Sequence, residues 1–173
     1  STAAFEAIAT GVIAGLSSAQ VNALRTDQVA ALTTAQAAAL TTTQTVGLSS
    51  TQVGALETAD LQKVTTSAFA TIKTDAIVGL SSEQVNALTT AQVVALTTSQ
   101  STVLTSTQSV GINTTQAPTL ETGDLSAMTT SSFAALTEAT VAALTSTQVS
   151  SLTTDEVNAL TTAQAGALLA QQL

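Results

Sequence analysis

Carboxylates come nearest to a chemical site among the side chains of this sequence. Glu57-Thr58-Ala59-Asp60 and Glu121-Thr122-Gly123-Asp124 each place two acids three residues apart, which puts both on one face of a helix. Such a pair can contribute to a site for a hard cation, but that ion takes roughly six to eight oxygen ligands. Neither segment supplies further acids. We therefore expect both pairs to be structural residues of a first helical turn and predict no metal-ligating residue.

The composition excludes most other chemistry. Cys and His are absent, so disulfides, thiol chemistry and the usual transition-metal sites are not expected. A formal net charge of −8 with three basic residues disfavours binding to nucleic acid or to an anionic membrane surface. Thr and Ser interrupt the apolar stretches, so no run of about 18 apolar residues is available for membrane insertion. We predict that the chain is not an enzyme and has no catalytic or cofactor-binding residues and no cofactor.

An eight-residue repeat organises the whole sequence. Every residue whose number is divisible by eight is apolar, from Ile8 to Leu168, and the consensus octad reads Leu-Thr-Thr-x-Gln-Val-x-Ala. This column residue is counted as position eight of its octad, and the next residue is position one of the following octad. Strict short periodicity is typical of a stacked array whose units bury their apolar faces on one another. We predict a single array over residues 1–173.

Two alternatives to short helices follow from the same period. A continuous helix fails because eight residues at about 100° each rotate the column by roughly 80° per octad, so no apolar stripe forms. A β-solenoid is the remaining alternative. Against it, apolar positions five, seven and eight do not alternate, and Ala, Gln and Leu are poor strand formers.

The polar residues favour one short helix in each octad. Position two is Ser or Thr in almost every octad and position four is usually Gln. In this pattern hydroxyls cap the helix N-terminus and Gln returns a hydrogen bond. All acids except Glu6 lie in the first four positions, where a helix N-terminus stabilises negative charge. The predicted fold class is all-α, a solenoid or superhelix of very short helices, one per octad.

The pattern also predicts which positions are buried. Positions five, seven and eight, such as Val21, Ala23 and Leu24, should form the buried edge, with small residues at position seven setting a close spacing. Position six, such as Asn86, should be exposed. Glycine is absent from the column and from the two positions after it. The turn between helices therefore requires no left-handed residue.

Three local features depart from the consensus. Pro118 falls in mid-helix, so octad 113–120 should be the least regular. The Thr pair is missing after Leu168, so the last helix is expected to run from about Ala163 to the chain end. Lys63 and Lys73 are expected to neutralise nearby carboxylates on a solvated surface.

A longer period lies above the octad. Phe5, Phe69 and Phe133 are the only aromatic residues, and they recur every eight octads within similar segments. This indicates duplication of an eight-octad block. It is also compatible with eight octads closing a whole number of superhelical turns, which would align the three phenylalanines. The blocks are 1–64, 65–128 and, in part, 129–173.

Repeats such as Leu88-Thr89-Thr90-Ala91-Gln92-Val93 resemble the tandem repeats of long bacterial secreted or cell-surface proteins of the adhesin or filament type. The resemblance covers nearly the whole chain and transfers no functional residue. It implies a stalk, spacer or fibre segment located outside the cell or at its surface. The partners it implies are adjoining repeats or further copies of the chain, associated end to end.

Two other roles remain open from the sequence. A solenoid can present a groove to a protein or glycan, and regular rows of Thr can bind ice or another crystal surface. Both use a repeated surface rather than a constellation of reactive groups.

Overall fold

A computed structural model describes residues 2–168 of the chain, and this region is helical without a strand. The prediction of an all-α solenoid is confirmed, and the β-solenoid alternative is wrong. The helices are α1 Thr2–Glu6, α2 Thr10–Ala14, α3 Ser18–Asn22, α4 Thr26–Ala30, α5 Thr34–Ala38, α6 Thr42–Thr45, α7 Ser50–Ala55, α8 Thr58–Leu61, α9 Thr66–Ala70, α10 Thr74–Ile77, α11 Ser82–Ala87, α12 Thr90–Val94, α13 Thr98–Ser101, α14 Ser106–Ser109, a 3₁₀ helix Ala117–Thr119, α15 Thr122–Leu125, α16 Thr130–Ala134, α17 Glu138–Ala142, α18 Ser146–Ser150, α19 Thr154–Ala159 and α20 Thr162–Ala167.

Most helices start at a Ser or Thr cap that the octad supplies at position one. In α5 the cap Thr33 is extended, with φ −82° and ψ 157°. Its Oγ1 accepts a hydrogen bond from the backbone N–H of Gln36 at 3.3 Å, and Gln36 Oε1 accepts one from the backbone N–H of Thr33 at 2.8 Å. This reciprocal capping box recurs in most octads and satisfies N–H groups that a short helix leaves without a partner.

The chain divides into two compact units, one up to Leu80 and one from Ser81, and the division falls at an octad boundary. Within each unit a helix packs against the helix three octads further along, as α4 does with α7 and α16 does with α19. Helices of four to six residues are unstable alone because nucleation costs more than one turn returns. Stacking on the next turn therefore stabilises each octad. The single array and the 64-residue blocks stay predictions.

The buried edge differs from the predicted one at two positions. Positions five and eight are buried in interior octads, as predicted, with Val85 and Leu88 at 4% and 5% exposure. Position seven is only half-buried in most octads, and Ala23 is exposed. Position four, predicted only to cap, is buried instead, and Gln92 is 1% exposed. The core thus contains a regular polar column.

The predicted irregularities are confirmed in part. Octad 113–120 contains the 3₁₀ helix in place of an α-helix, with Pro118 near its start. No described residue has a positive φ, as the glycine pattern predicts. The prediction for the last helix is wrong at Leu168, which is extended with ψ 126° and ends α20, because position eight leaves the helical conformation here as it does at Leu160 after α19. Residues 169–173, where that prediction continued, lie outside the described residues.

Candidate functional site

Within each carboxylate pair the two acids differ in burial. Glu57 and Glu121 are exposed cap residues that accept no capping hydrogen bond. Asp60 and Asp124, three residues on, are buried, at 3% and 2% exposure. Within residues 2–168 no group of three or more His, Cys, Asp or Glu side chains lies where it could hold a metal ion.

Burial changes the titration of the two aspartates. It raises the pKa of Asp60 above the usual value, and the charge of Glu57 raises it further. It likewise raises the pKa of Asp124, with a smaller opposing effect from a hydrogen bond with Thr98 and a further rise from the charge of Glu121. A buried carboxylate loses hydration, which favours its neutral form.

The lysines form no direct ion pair with these acids. Neither Lys63 nor Lys73 pairs with a described residue, and their neutralisation of nearby carboxylates stays a prediction. Arg25 instead pairs with Asp27 at 2.9 Å, with both side chains more than half exposed. A pair this exposed contributes little to stability.

The most regular constellation is formed by Gln at position four. Gln52 Oε1 accepts from the backbone N–H of Ser49 at 2.9 Å, which completes its own capping box. Its Nε2 donates to the carbonyl oxygens of Val21 at 2.8 Å and Leu24 at 2.7 Å, at the end of a helix in the preceding turn. One amide thus pairs unsatisfied groups at the start of one helix and the end of another. We call this side chain a glutamine rung.

The glutamine rung recurs in both units. Gln36 and Gln44 form it in the first unit. In the second unit Gln148 Nε2 donates to the carbonyls of Ala117 at 2.8 Å and Leu120 at 2.7 Å, 31 and 28 residues earlier. One turn of the solenoid therefore takes between three and four octads. Sequence reasoning assigned Gln to capping but missed this second bond. The available signal was the constancy of Gln at position four in a chain with few charged residues.

Hydroxyl residues can replace the amide in this role. Ser132 and Thr140 occupy position four in their octads. Ser132 Oγ donates to the Leu104 carbonyl, and Thr140 Oγ1 donates to the Ile112 carbonyl at 2.8 Å, each 28 residues earlier. Position four is therefore a donor site, and the carbonyl at position eight of the earlier octad is its constant acceptor.

Three acids also occupy position four, although a carboxylate has no hydrogen to donate. Asp60, Asp124 and Glu156 are all buried at position four. Glu156 Oε1 and Asp124 Oδ2 are buried oxygens without a hydrogen-bond partner. An ionised carboxylate only accepts hydrogen bonds, so these residues cannot donate as Gln does.

Close approach between turns explains the glycines at position seven, where small residues were expected to set the spacing. A Cβ added to Gly47, Gly79 or Gly111 would collide with the backbone carbonyl of Ser18, Ser50 or Ser82 in the preceding turn, in that order. These glycines, with Gly15, recur at every fourth octad, each followed by Leu or Ile and two polar residues. That spacing was a readable signal for backbone contact.

Asparagine at position six contributes to the same contact. Asn22 Nδ2 donates to the Gly47 carbonyl at 2.7 Å, and Asn86 Nδ2 donates to the Gly111 carbonyl at 3.1 Å. Asn86 is exposed, as predicted. Its hydrogen bond shows that an exposed residue at this position can still join two turns.

The outer surface carries neutral hydroxyls and isolated apolar residues. Positions one to three are mostly exposed, and Val46, Val78, Val94 and Val110 at position six are 37–53% exposed. An open depression of about 330 Å³ is lined by Ser18, Asn22, Gly47 and Lys73, among others. No helix within residues 2–168 has both the length and the apolar character needed to cross a membrane.

Comparisons with known proteins identify the repeat. A family model described as the ALTTAQ repeat matches residues 1–34, 53–90 and 118–154. Neither a search of curated proteins nor a search of solved structures found a match. The matched segments share the Ala-Leu-Thr-Thr-Ala-Gln character of the octads described above.

Proposed function

The chain belongs to the ALTTAQ repeat family, and we propose that it is a stalk, spacer or fibre segment of a bacterial secreted or cell-surface protein. The observation that carries the proposal is the glutamine rung. It makes a structural repeat scaffold in which octads with Gln at position four are fixed by the same bond to the turn before them. A scaffold built this way grows by addition of equivalent units, which suits a spacer.

The proposal includes no catalytic activity. The buried acids, which are the reactive groups of the core, lie in separate octads and each replaces a Gln within the packing. Among residues 2–168, no group of metal-ligating side chains accompanies the exposed rows of Ser and Thr hydroxyls.

The partner in the proposal is a further turn of octads, from adjoining repeats or from a second copy bound end to end. Val12, at position four of an octad with no turn before it in the structure, is 59% exposed. Val157, at position five of one of the last described octads, is 51% exposed. Within each unit these two positions bury against neighbouring turns, so the two exposed faces continue an interface that the fold already uses.

Light scattering over a concentration series tests end-to-end association. We expect a mass above 17.2 kDa that rises with concentration. Val12→Lys and Val157→Lys should each reduce it, because each places a charge on a terminal face. Val110→Lys and Val94→Lys are matched controls, since these residues are 53% and 46% exposed at position six on the outer surface. A mass of 17.2 kDa at every concentration contradicts end-to-end association.

Antibody labelling of intact cells of the source organism tests the proposed location. Labelling without permeabilisation supports a secreted or surface segment, whereas labelling only after permeabilisation contradicts it. A thermal-hysteresis measurement on the purified chain separates the scaffold from an ice-binding surface, because a scaffold produces none.

A further inference from the structure

Position four of octads 121–128 and 153–160 contains a buried acid where the neighbouring octads use a hydrogen-bond donor. Glu156 is 1% exposed and Asp124 is 2% exposed. Each has one carboxyl oxygen that is buried and receives no hydrogen bond in the structure. A buried charge in this state is costly, whereas a neutral acid with a hydrogen-bond acceptor is not.

The geometry of Glu156 copies that of Gln with one atom exchanged. Its Oε2 accepts from the backbone N–H of Thr153 at 2.8 Å and from Thr153 Oγ1 at 2.9 Å, as the Gln Oε1 does in other octads. Oε1 therefore stands in the place of the Gln Nε2. The octads on either side show what that atom normally does: Gln148 and Gln164 donate to the carbonyls of Leu120 and Leu136.

The equivalent acceptor for Glu156 is the Met128 carbonyl, 28 residues earlier. No described side chain donates to this carbonyl. In an ionised Glu156, Oε1 is also an acceptor, so it would repel the Met128 carbonyl oxygen. A protonated Glu156 would supply one O–H donor and reproduce the glutamine rung.

Asp124 repeats the arrangement with a shorter side chain. Its equivalent acceptor is the Leu96 carbonyl, and Ser132 and Thr140 show that still shorter side chains reach the matching carbonyl in their octads. The helices packed against α15, which are α13 and α18, contain no titratable residue. The charged neighbour on its own octad is the exposed Glu121, whose negative charge also disfavours ionisation of Asp124.

The surroundings of Glu156 are equally free of positive charge. The helix packed against α19 is α16, which contains no titratable residue. Asp155 lies on the same helix and is exposed. Neither acid therefore has a described cation that would keep it ionised.

We propose that Glu156 and Asp124 are proton-binding sites, in which the protonated carboxyl donates to the carbonyl of the preceding turn and mild acid thereby tightens the second unit. The raised pKa of Asp124 agrees in direction. A group that binds protons more tightly in the folded state stabilises the fold below its unfolded pKa, and this stabilisation is lost as the pH rises through the folded pKa. The second unit should therefore gain stability as the pH falls.

Carboxyl carbon chemical shifts of the labelled full-length chain, followed by NMR from about pH 7 to about pH 3, test proton binding directly. We expect Asp124 to titrate above the usual range of an aspartate, because burial raises its pKa. If Asp124 titrates within that usual range, the proposal is wrong for that residue.

Thermal unfolding separates the effect of protonating Glu156 from a general effect of acid on stability. Glu156→Gln, which mimics the protonated acid, should raise the Tm at about pH 7 by about 2–4 °C and reduce the gain on acidification. Asp155→Asn is the matched control, since it removes a charge from the same helix without touching the rung, and should keep the wild-type pH dependence. An unchanged or lower Tm for Glu156→Gln overturns the proposal. Stabilisation of the wild type by Ca²⁺ at neutral pH, absent in Glu156→Gln, also overturns it in favour of a cation.

Discussion

Removal of one glutamine rung should destabilise the chain far more than loss of an equally good helix cap. Gln148→Ala leaves the Ala117 and Leu120 carbonyls and the Thr145 N–H without their side-chain partner. Each buried polar group deprived of its partner costs about 1–3 kcal/mol. The N–H lies at an exposed residue, where water can replace the amide oxygen. The Ala117 carbonyl still accepts from the Leu120 N–H at 3.3 Å, so the Leu120 carbonyl and the cavity left by the buried side chain dominate. We expect a loss of about 2–5 kcal/mol in the free energy of unfolding.

Gln20→Ala provides the matched control. Gln20 forms the same capping box with Ser17, with its Oε1 2.8 Å from the Ser17 backbone nitrogen. It is exposed and forms no bond to another turn. Its loss should cost no more than about 1 kcal/mol, which is typical of a cap. Gln148→Thr tests the same site from the other direction, because Thr140 shows that a hydroxyl keeps the bond to the earlier carbonyl at 2.8 Å.

Urea unfolding followed by circular dichroism, with hydrogen exchange resolved by octad, measures these differences. Repeat arrays can unfold in parts, so the exchange data show whether the loss is confined to the turns that Gln148 joins. We expect wild type to be the most stable, Gln148→Thr to be less stable and Gln148→Ala to be the least stable. Gln20→Ala should be close to wild type. Equal losses for Gln148→Ala and Gln20→Ala would refute the reasoning, because the inter-turn bonds would then contribute nothing.

Two further pairs of variants test the packing, each by urea midpoint. Leu88→Ala removes a buried column residue and should cost about 2–5 kcal/mol of stability. Val94→Ala, at 46% exposure, should change the stability by no more than about 0.5 kcal/mol. Equal losses would mean that the buried face has been assigned wrongly. Gly79→Ala sets a Cβ against the Ser50 carbonyl and should destabilise the first unit. In Gly123→Ala the added Cβ has no atom within 4 Å and lies in a helix, so this variant should be more stable than wild type by about 0.5–1 kcal/mol. A stable Gly79→Ala protein would show that the two turns separate without cost.

The helical solenoid could be predicted because its signals are local. Eight residues contain a complete start and end for a helix, so the caps, the acids of the first turn and the irregular octad at Pro118 follow from the sequence alone. The apolar residues at positions five and eight identify the core for the same reason. None of these inferences requires knowledge of which octad lies above which.

The glutamine rung and the glycine contacts could not be predicted in this way because they depend on the length of the superhelical turn. Gln52 reaches residues 28 and 31 positions earlier, and no rule for a single octad gives that distance. Position seven was assigned to the buried edge and is only half-buried, but its small residues do permit the close backbone approach that was expected of them. Asp60 and Asp124 were expected only as acids of a first helical turn, and their burial follows from the rung position they occupy.

The acceptor of every glutamine rung is a backbone carbonyl, and this choice has a consequence for how such chains change over generations. A side-chain partner would need a second, matching mutation whenever the gene gained or lost a repeat, but a carbonyl is present in each octad whatever its sequence. Unequal recombination within the gene therefore yields products whose new neighbours already fit. Because the glycines recur at every fourth octad, only gains or losses of four octads keep them in register. The lengths of such repeat arrays in natural populations should therefore differ most often by four octads.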